Sequence, residues 1–201
     1  ITGRRTRVEL RKCASVPCVG GSVFIPINGE GIIVNPLSNN GTAFVVRRAT
    51  SADADKMLFV WQETADMLSR SDGRYHLAPD AGACWRSALL EWLQRDDIAI
   101  FVAESLIKEG HILGYIVGSI VADLPILIPE RHGYVSDLAV DSHGKVGGIG
   151  RAMLDALKGW FHERNVSHIQ ARVPSRHPIA QAFWRAQGAS ELYDQMWLKL
   201  E

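Results

Sequence analysis

The sequence predicts an α/β (α+β) chain: a mixed, mostly antiparallel twisted sheet with helices on both faces and a parallel strand pair at its centre. Three observations carry that reading. Short runs rich in apolar and β-branched residues alternate with segments of helical periodicity. Two of the runs, 98–104 and 112–121, are joined by Lys108-Glu109-Gly110, a hairpin connection. A helical stretch separates the run 134–140 from the run 168–173, and strands joined across a helix lie parallel.

The elements follow in order. Residues 1–41 differ in character from the rest. Val23-Phe24-Ile25-Pro26-Ile27 and Ile32-Ile33-Val34 flank Asn28-Gly29-Glu30-Gly31, a hairpin pattern, and Pro26 suits an edge strand. Residues 35–41 read as a linker. Segment 1–41 is expected to add a hairpin to the sheet edge or to form a homodimer contact. Residues 43–48 form a strand, and Thr50 is placed to cap the helix that follows, with Asp53 complementing its dipole. Ala54, Met57, Leu58, Trp61, Ala65 and Leu68 form the apolar stripe of that helix. A polar loop, 69–79, carries Arg74, Tyr75 and His76. Trp85, Ala88, Leu89, Trp92 and Leu93 mark one face of a second helix, where tryptophan is expected in the core. After the third helix and its parallel strand, 178–187 reads as a short helix, with Pro178 at its start and Gly188 past its end. Residues 192–200 read as a final strand.

The bulk numbers exclude several classes of function. The chain has 201 residues, enough for one domain with an extension and a substantial core. Lys and Arg number 22 and so do Asp and Glu, so nothing draws the chain to nucleic acid or to an anionic membrane. No run reaches membrane-span length, and ITGRRTRVELRK lacks an apolar stretch behind it, so neither a membrane segment nor a secretory signal is expected. Three cysteines, Cys13, Cys18 and Cys84, are too few for a disulfide framework and read as reduced thiols of a cytoplasmic protein. Cys13 and Cys18 have no second Cys/His pair nearby, and no metal is expected.

The chemistry concentrates between Gly133 and Arg164. A strand, Tyr134 to Val140, runs into a Gly-containing turn and then a helix on which Ile149, Met153, Leu157, Trp160 and Phe161 share one face. That order aims free backbone N–H groups and the positive end of a helix dipole at one point, where a phosphate is expected. A Walker loop would place Lys-Ser/Thr after its glycines, but Arg151 and Ala152 follow Gly150. A dinucleotide fingerprint would want a small residue at Met153 and an acid near His168, and has neither. What remains is Lys145-x-x-Gly148-x-Gly150, preceded by Asp137-Leu138-Ala139-Val140.

This pattern resembles the GNAT superfamily of acetyl-CoA-dependent N-acetyltransferases, whose signature is Arg/Gln-x-x-Gly-x-Gly/Ala after a strand of the form x-Leu-x-Val. Lys145 stands where Arg or Gln is usual. Ala180-x-x-Phe183-Trp184-x-x-x-Gly188 resembles a second block of the family, with His177, Trp184 and Ala189 in place of the usual Asn, Tyr and Phe. The resemblance covers about 42–200 and implies a GNAT-type N-acetyltransferase domain over 42–201. It implies acetyl-CoA as co-substrate and direct transfer to a primary amine in a ternary complex.

On the matching positions the resemblance implies cofactor binding by Leu138, Ala139 and Val140 and by Lys145, Val146, Gly147, Gly148, Ile149, Gly150 and Arg151. From the second block it adds His177, Ala180, Phe183 and Trp184. The Leu138 N–H would bind the acetyl carbonyl and Val140 would hold the pantetheine, at a bulge that splays the parallel strands. Asp137 is the expected base or cation anchor, beside Ser136. Tyr193 is a candidate acid in place of the missing tyrosine. An acceptor pocket is expected around Arg74, Tyr75, His76, Tyr193 and Asp194, for a small-molecule or protein amine. His143 reads as an exposed turn residue. The alternative function is a non-catalytic acyl-CoA-binding regulatory module that keeps the fold, supported by Trp184. Nucleotide hydrolysis is disfavoured by the absent Lys-Ser/Thr.

Overall fold

The computed structural model describes residues 23–27, 30–35, 44–143 and 147–200. Seven strands form one sheet in chain order: β1 (Val23–Ile27), β2 (Glu30–Asn35), β3 (Phe44–Arg48), β4 (Ile98–Ser105), β5 (Ile112–Ala122), β6 (Arg131–Val140) and β7 (Ile169–Ala171). Each neighbouring pair from β1 to β6 is antiparallel, β3 and β4 across the helical segment 49–97 and the others across short connections. β6 and β7 are parallel, because a helix crosses between them. The helices are α1 (Ala54–Ser71), α2 (Ala81–Trp92), α3 (Ile149–Glu163) and α4 (Pro178–Ala186).

The sheet is covered on both faces, and β4 shows why its sequence is apolar throughout. Ile98, Ile100 and Val102 join a core with Met57 and Val60 of α1 and Trp85 and Leu89 of α2. Ala99, Phe101 and Ala103 alternate to the other face, against Met153, Leu154, Leu157 and Phe161 of α3. Trp61 stacks on Trp85 at 5.4 Å, so these rings are packing residues of the first core. Val60 belongs to the buried stripe of α1, whereas Leu58, Trp61 and Leu68 are only partly covered.

Several sequence expectations are corrected. Thr50 is the N-cap of a 3-10 turn, Ser51–Asp53, that leads into α1, and the N-cap of α1 itself is Asp53. The N–H and Oγ1 of Thr50 both donate to Asp53 Oδ2, at 2.8 and 2.9 Å, because that buried carboxylate is the stronger acceptor. The parallel strand is only Ile169–Ala171, so β7 offers a short ladder. No final strand forms over 192–200: Arg185 bonds Glu191 at 2.6 Å beside α4, and the segment beyond is exposed rather than paired. β7 therefore ends the sheet, and the parallel β6/β7 pair lies at its edge rather than at its centre. Of the linker expected at 35–41, Asn35 belongs to β2 and 36–41 lie outside the described residues, as do Cys13, Cys18, Lys145 and Val146.

Candidate active site

The site is built by one extra residue in β6. Val117 pairs with Asp137 and Gly118 with Val135, so Ser136 has no partner on β5 and forms a bulge. A bulge reverses the alternation of faces and of amide directions along a strand. Before it, Val135 packs in the α3 core; after it, Ala139 packs in the α1/α2 core although it lies at the same parity. Asp137 shares the face of Ala139, and Leu138 packs on the α3 side.

The amides follow the same logic. Before the bulge, the Gly133 N–H donates across to His168 O on the β7 side, at 2.9 Å. After it, the Asp141 N–H donates to Leu113 O of β5 at 2.8 Å. Alternation then turns the N–H groups of Leu138 and Val140 away from β5. β7 pairs with β6 only from Gly133 to Val135, so these two amides face a side where β7 has already ended.

The turn after β6 leads to α3. Gly148 is its N-cap residue, with φ +87 and no side-chain cap. That left-handed backbone favours glycine, and a Cβ added at Gly147 or Gly148 would meet nothing within 4 Å. The helix start is thus open to an approaching group, as an anion cradle requires. Gly150 is used differently: a Cβ there would stand 3.3 Å from Phe183, so this glycine lets α4 lie close to α3. Phe183 and Trp184 pack edge to face on the α3 core. His177 caps α4, its Nδ1 accepting from Ala180 N–H at 3.1 Å.

Asp137 is half-buried and makes no ion pair among the described residues. Burial pushes its carboxyl up to about 6, and a hydrogen bond from the Ser136 side chain pulls it partly back. Tyr115 is fully buried on the same face of the sheet. Burial and the Asp137 charge hold its hydroxyl well above the ordinary tyrosine range, and the oxygen has no hydrogen-bond partner among the described residues. Sequence reasoning missed Tyr115, because it reads as one more apolar position of β5.

A second group missed in the sequence braces the turn. Asp141 Oδ1 accepts the His143 N–H at 2.8 Å, an Asx turn that Asp-Ser-His-Gly could have signalled. His143 Nδ1 lies 3.0 Å from Glu63 Oε1, tying the turn to α1. The other expected residues are dispersed. Arg74 pairs with Asp72, Tyr75 is partly exposed, and Tyr193 is 81% exposed on the unpaired C-terminal segment that also carries Asp194.

With this geometry in hand, comparison with known proteins gives the class. A family model described as the acetyltransferase (GNAT) family matches residues 60–189. The chain belongs to that family. Among solved structures, the BH1408 protein from Bacillus halodurans superposes with a TM-score of 0.68 at 23% identity, over 77% of this chain and 99% of that one. The aminoglycoside N-acetyltransferase AAC(6')-Iy, in complex with CoA, gives 0.62 at 16% identity, over 82% and 99%. A predicted acetyltransferase from Clostridium acetobutylicum, with acetyl-CoA, gives 0.61 at 17% identity, over 79% and 96%. These are likenesses of fold. No curated protein sequence matches the chain. No described helix is long and apolar enough to cross a membrane.

Proposed function

We propose that residues 42–201 form an N-acetyltransferase domain, with 1–41 as an extension, that moves an acetyl group from acetyl-CoA to a primary amine. The observation that carries the reading is the bulge at Ser136. It turns two free strand amides to an open side of β6 and sets Asp137 on the adjoining face.

The chain fits the co-substrate at two places. The unobstructed turn at Gly147 and Gly148 suits the pyrophosphate, and the Leu138 and Val140 amides suit an extended amide-bearing arm. Bound acetyl-CoA would supply an activated acyl carbon. The chain's own residues do the rest. Leu138 N–H donates to the oxygen that gains negative charge. Asp137, with its carboxyl raised to about 6, takes the proton that an acceptor ammonium must lose before its nitrogen can attack. Phe183 and Trp184 form an apolar wall beside α3. Tyr193 would serve as an acid only after its exposed segment moved toward the site.

The acceptor is a cationic amine, because a half-buried carboxylate with no ion pair among the described residues attracts one. The fold neighbour AAC(6')-Iy is named for aminoglycosides, which places polyamino compounds beside polyamines, lysine and peptide N-termini in a test panel. CoA release is measured with each amine. Turnover with at least one supports the enzyme; tight acetyl-CoA binding with no turnover on any supports the non-catalytic module.

A further inference from the structure

We propose a second site, independent of the acetyl-transfer reading: a transition-metal site formed by Asp123, His132 and His168 at the opposite end of β6. The ligating atoms of these three residues all lie within 4.8 Å of one another. His132 is separated from Asp137 by roughly 17 Å of strand at ~3.3 Å per residue, so the two sites do not share residues.

The three side chains come from three neighbouring strand ends whose backbones are tied together. Asp123 follows β5, and its N–H donates to Glu130 O at 2.8 Å. His132 lies on β6, paired with Val121. His168 precedes β7, and its carbonyl accepts the Gly133 N–H at 2.9 Å. Such ligands are held in register before any ion arrives, which limits the ordering that binding requires.

Their spacing suits one ion. His132 is buried, and its Nδ1 stands 2.8 Å from Asp123 Oδ2. Two ligands each ~2.1 Å from a tetrahedral ion would stand about 3.4 Å from each other, so this pair needs to open by only about half an ångström. An ion can therefore take the place of the hydrogen bond between them. The His168 ring stacks 5.7 Å from His132 and is exposed, so a movement of about an ångström brings its nitrogen into range. Two imidazoles and one carboxylate favour Zn²⁺, Co²⁺ or Ni²⁺ over the oxygen-seeking Mg²⁺ and Ca²⁺. Three protein ligands leave room for water on the ion. The consequence is structural: β7 has three residues and ends the sheet, and the ion would staple it to β5 and β6.

The test uses the full chain stripped with EDTA and titrated with Zn²⁺ by calorimetry, with thermal unfolding followed in parallel. The wild type should bind one Zn²⁺ in the micromolar range and gain a few degrees in Tm at saturating metal. His168→Gln, at an exposed position where folding is safe, should weaken binding at least tenfold and lose the Tm gain, as should Asp123→Asn. Cys84→Ser, which removes an exposed thiol, should behave as wild type. Equal Zn²⁺ affinity in His168→Gln, loss of binding in Cys84→Ser, or no Zn²⁺-dependent rise in Tm of the wild type would each overturn the proposal.

Discussion

Asp53 and Asp137, one fully buried and the other half-buried, have opposite fates. Asp53, at the start of α1, is 2% exposed. It accepts two bonds from the Arg47 guanidinium at 2.8 Å each and two from Thr50. Burial alone would push its carboxyl up, but those partners outweigh it and hold the group near 2. Among the described residues Asp137 receives only the Ser136 bond, and burial prevails, lifting it to about 6. Both sit where charge is expensive, and one has been given a cation. The carboxylate with a built-in partner is a joint between β3, α1 and, through Arg47 to Glu104 at 2.7 Å, β4. The one without is left to meet a cation from outside.

Breaking the paired aspartate should have the largest effect. Asp53→Asn leaves Arg47 without its main partner and is expected to destabilise the fold by about 3–5 kcal/mol, read from urea unfolding at pH 7. Because the folded pKa of Asp53 lies below its ordinary value, its contribution is present above about 3.8 and is lost as pH falls toward about 2.

The next effect falls on the cradle. Gly148→Asp forces a side chain onto a backbone at φ +87 and sets negative charge at the helix start. Acetyl-CoA affinity should fall by about a hundredfold, near ~2.7 kcal/mol, in a calorimetric titration, while the cooperative unfolding transition survives.

Asp137→Asn inverts the first experiment. The folded pKa of Asp137 is raised, so its contribution to stability is full below about 3.8 and declines as pH rises through about 6. The neutral amide should therefore stabilise the protein at pH 7, by about 1 kcal/mol after solvent screening, and should give no gain at pH 4. A loss of stability at pH 7 would make the two aspartates alike. The smallest change is expected from Trp184→Phe, which keeps the wall beside α3 and should hold turnover within about tenfold of wild type, since an indole is no general acid.

Much of this contrast was legible in the sequence and part was not. The strand-turn-helix at 134–164 and the second block around Phe183 are local patterns, and local patterns survive folding. Asp137 stood out because it directly precedes Leu138, where the family resemblance sets the acetyl group. Its lack of a partner was hidden, because pairing depends on what lies across the sheet. The same holds for Tyr115, which needed the neighbouring strand to give it meaning. The bulge at Ser136 leaves no residue signal, since it is a mismatch of register between β5 and β6. The apolar alternation in 192–200 predicts a strand, but a strand also needs a ladder, and β7 is too short to offer one.

The pH dependence of kcat/KM for acetylation of an accepted amine, in wild type and Asp137→Asn, tests the central claim most directly. The wild-type profile should rise with an apparent pKa near 6 as Asp137 ionises. In Asp137→Asn that limb should vanish and turnover should drop well over about tenfold, with acetyl-CoA affinity nearly unchanged. A variant that keeps normal rates from about pH 6 to 9 would contradict the account and make Asp137, like Asp53, a part of the frame.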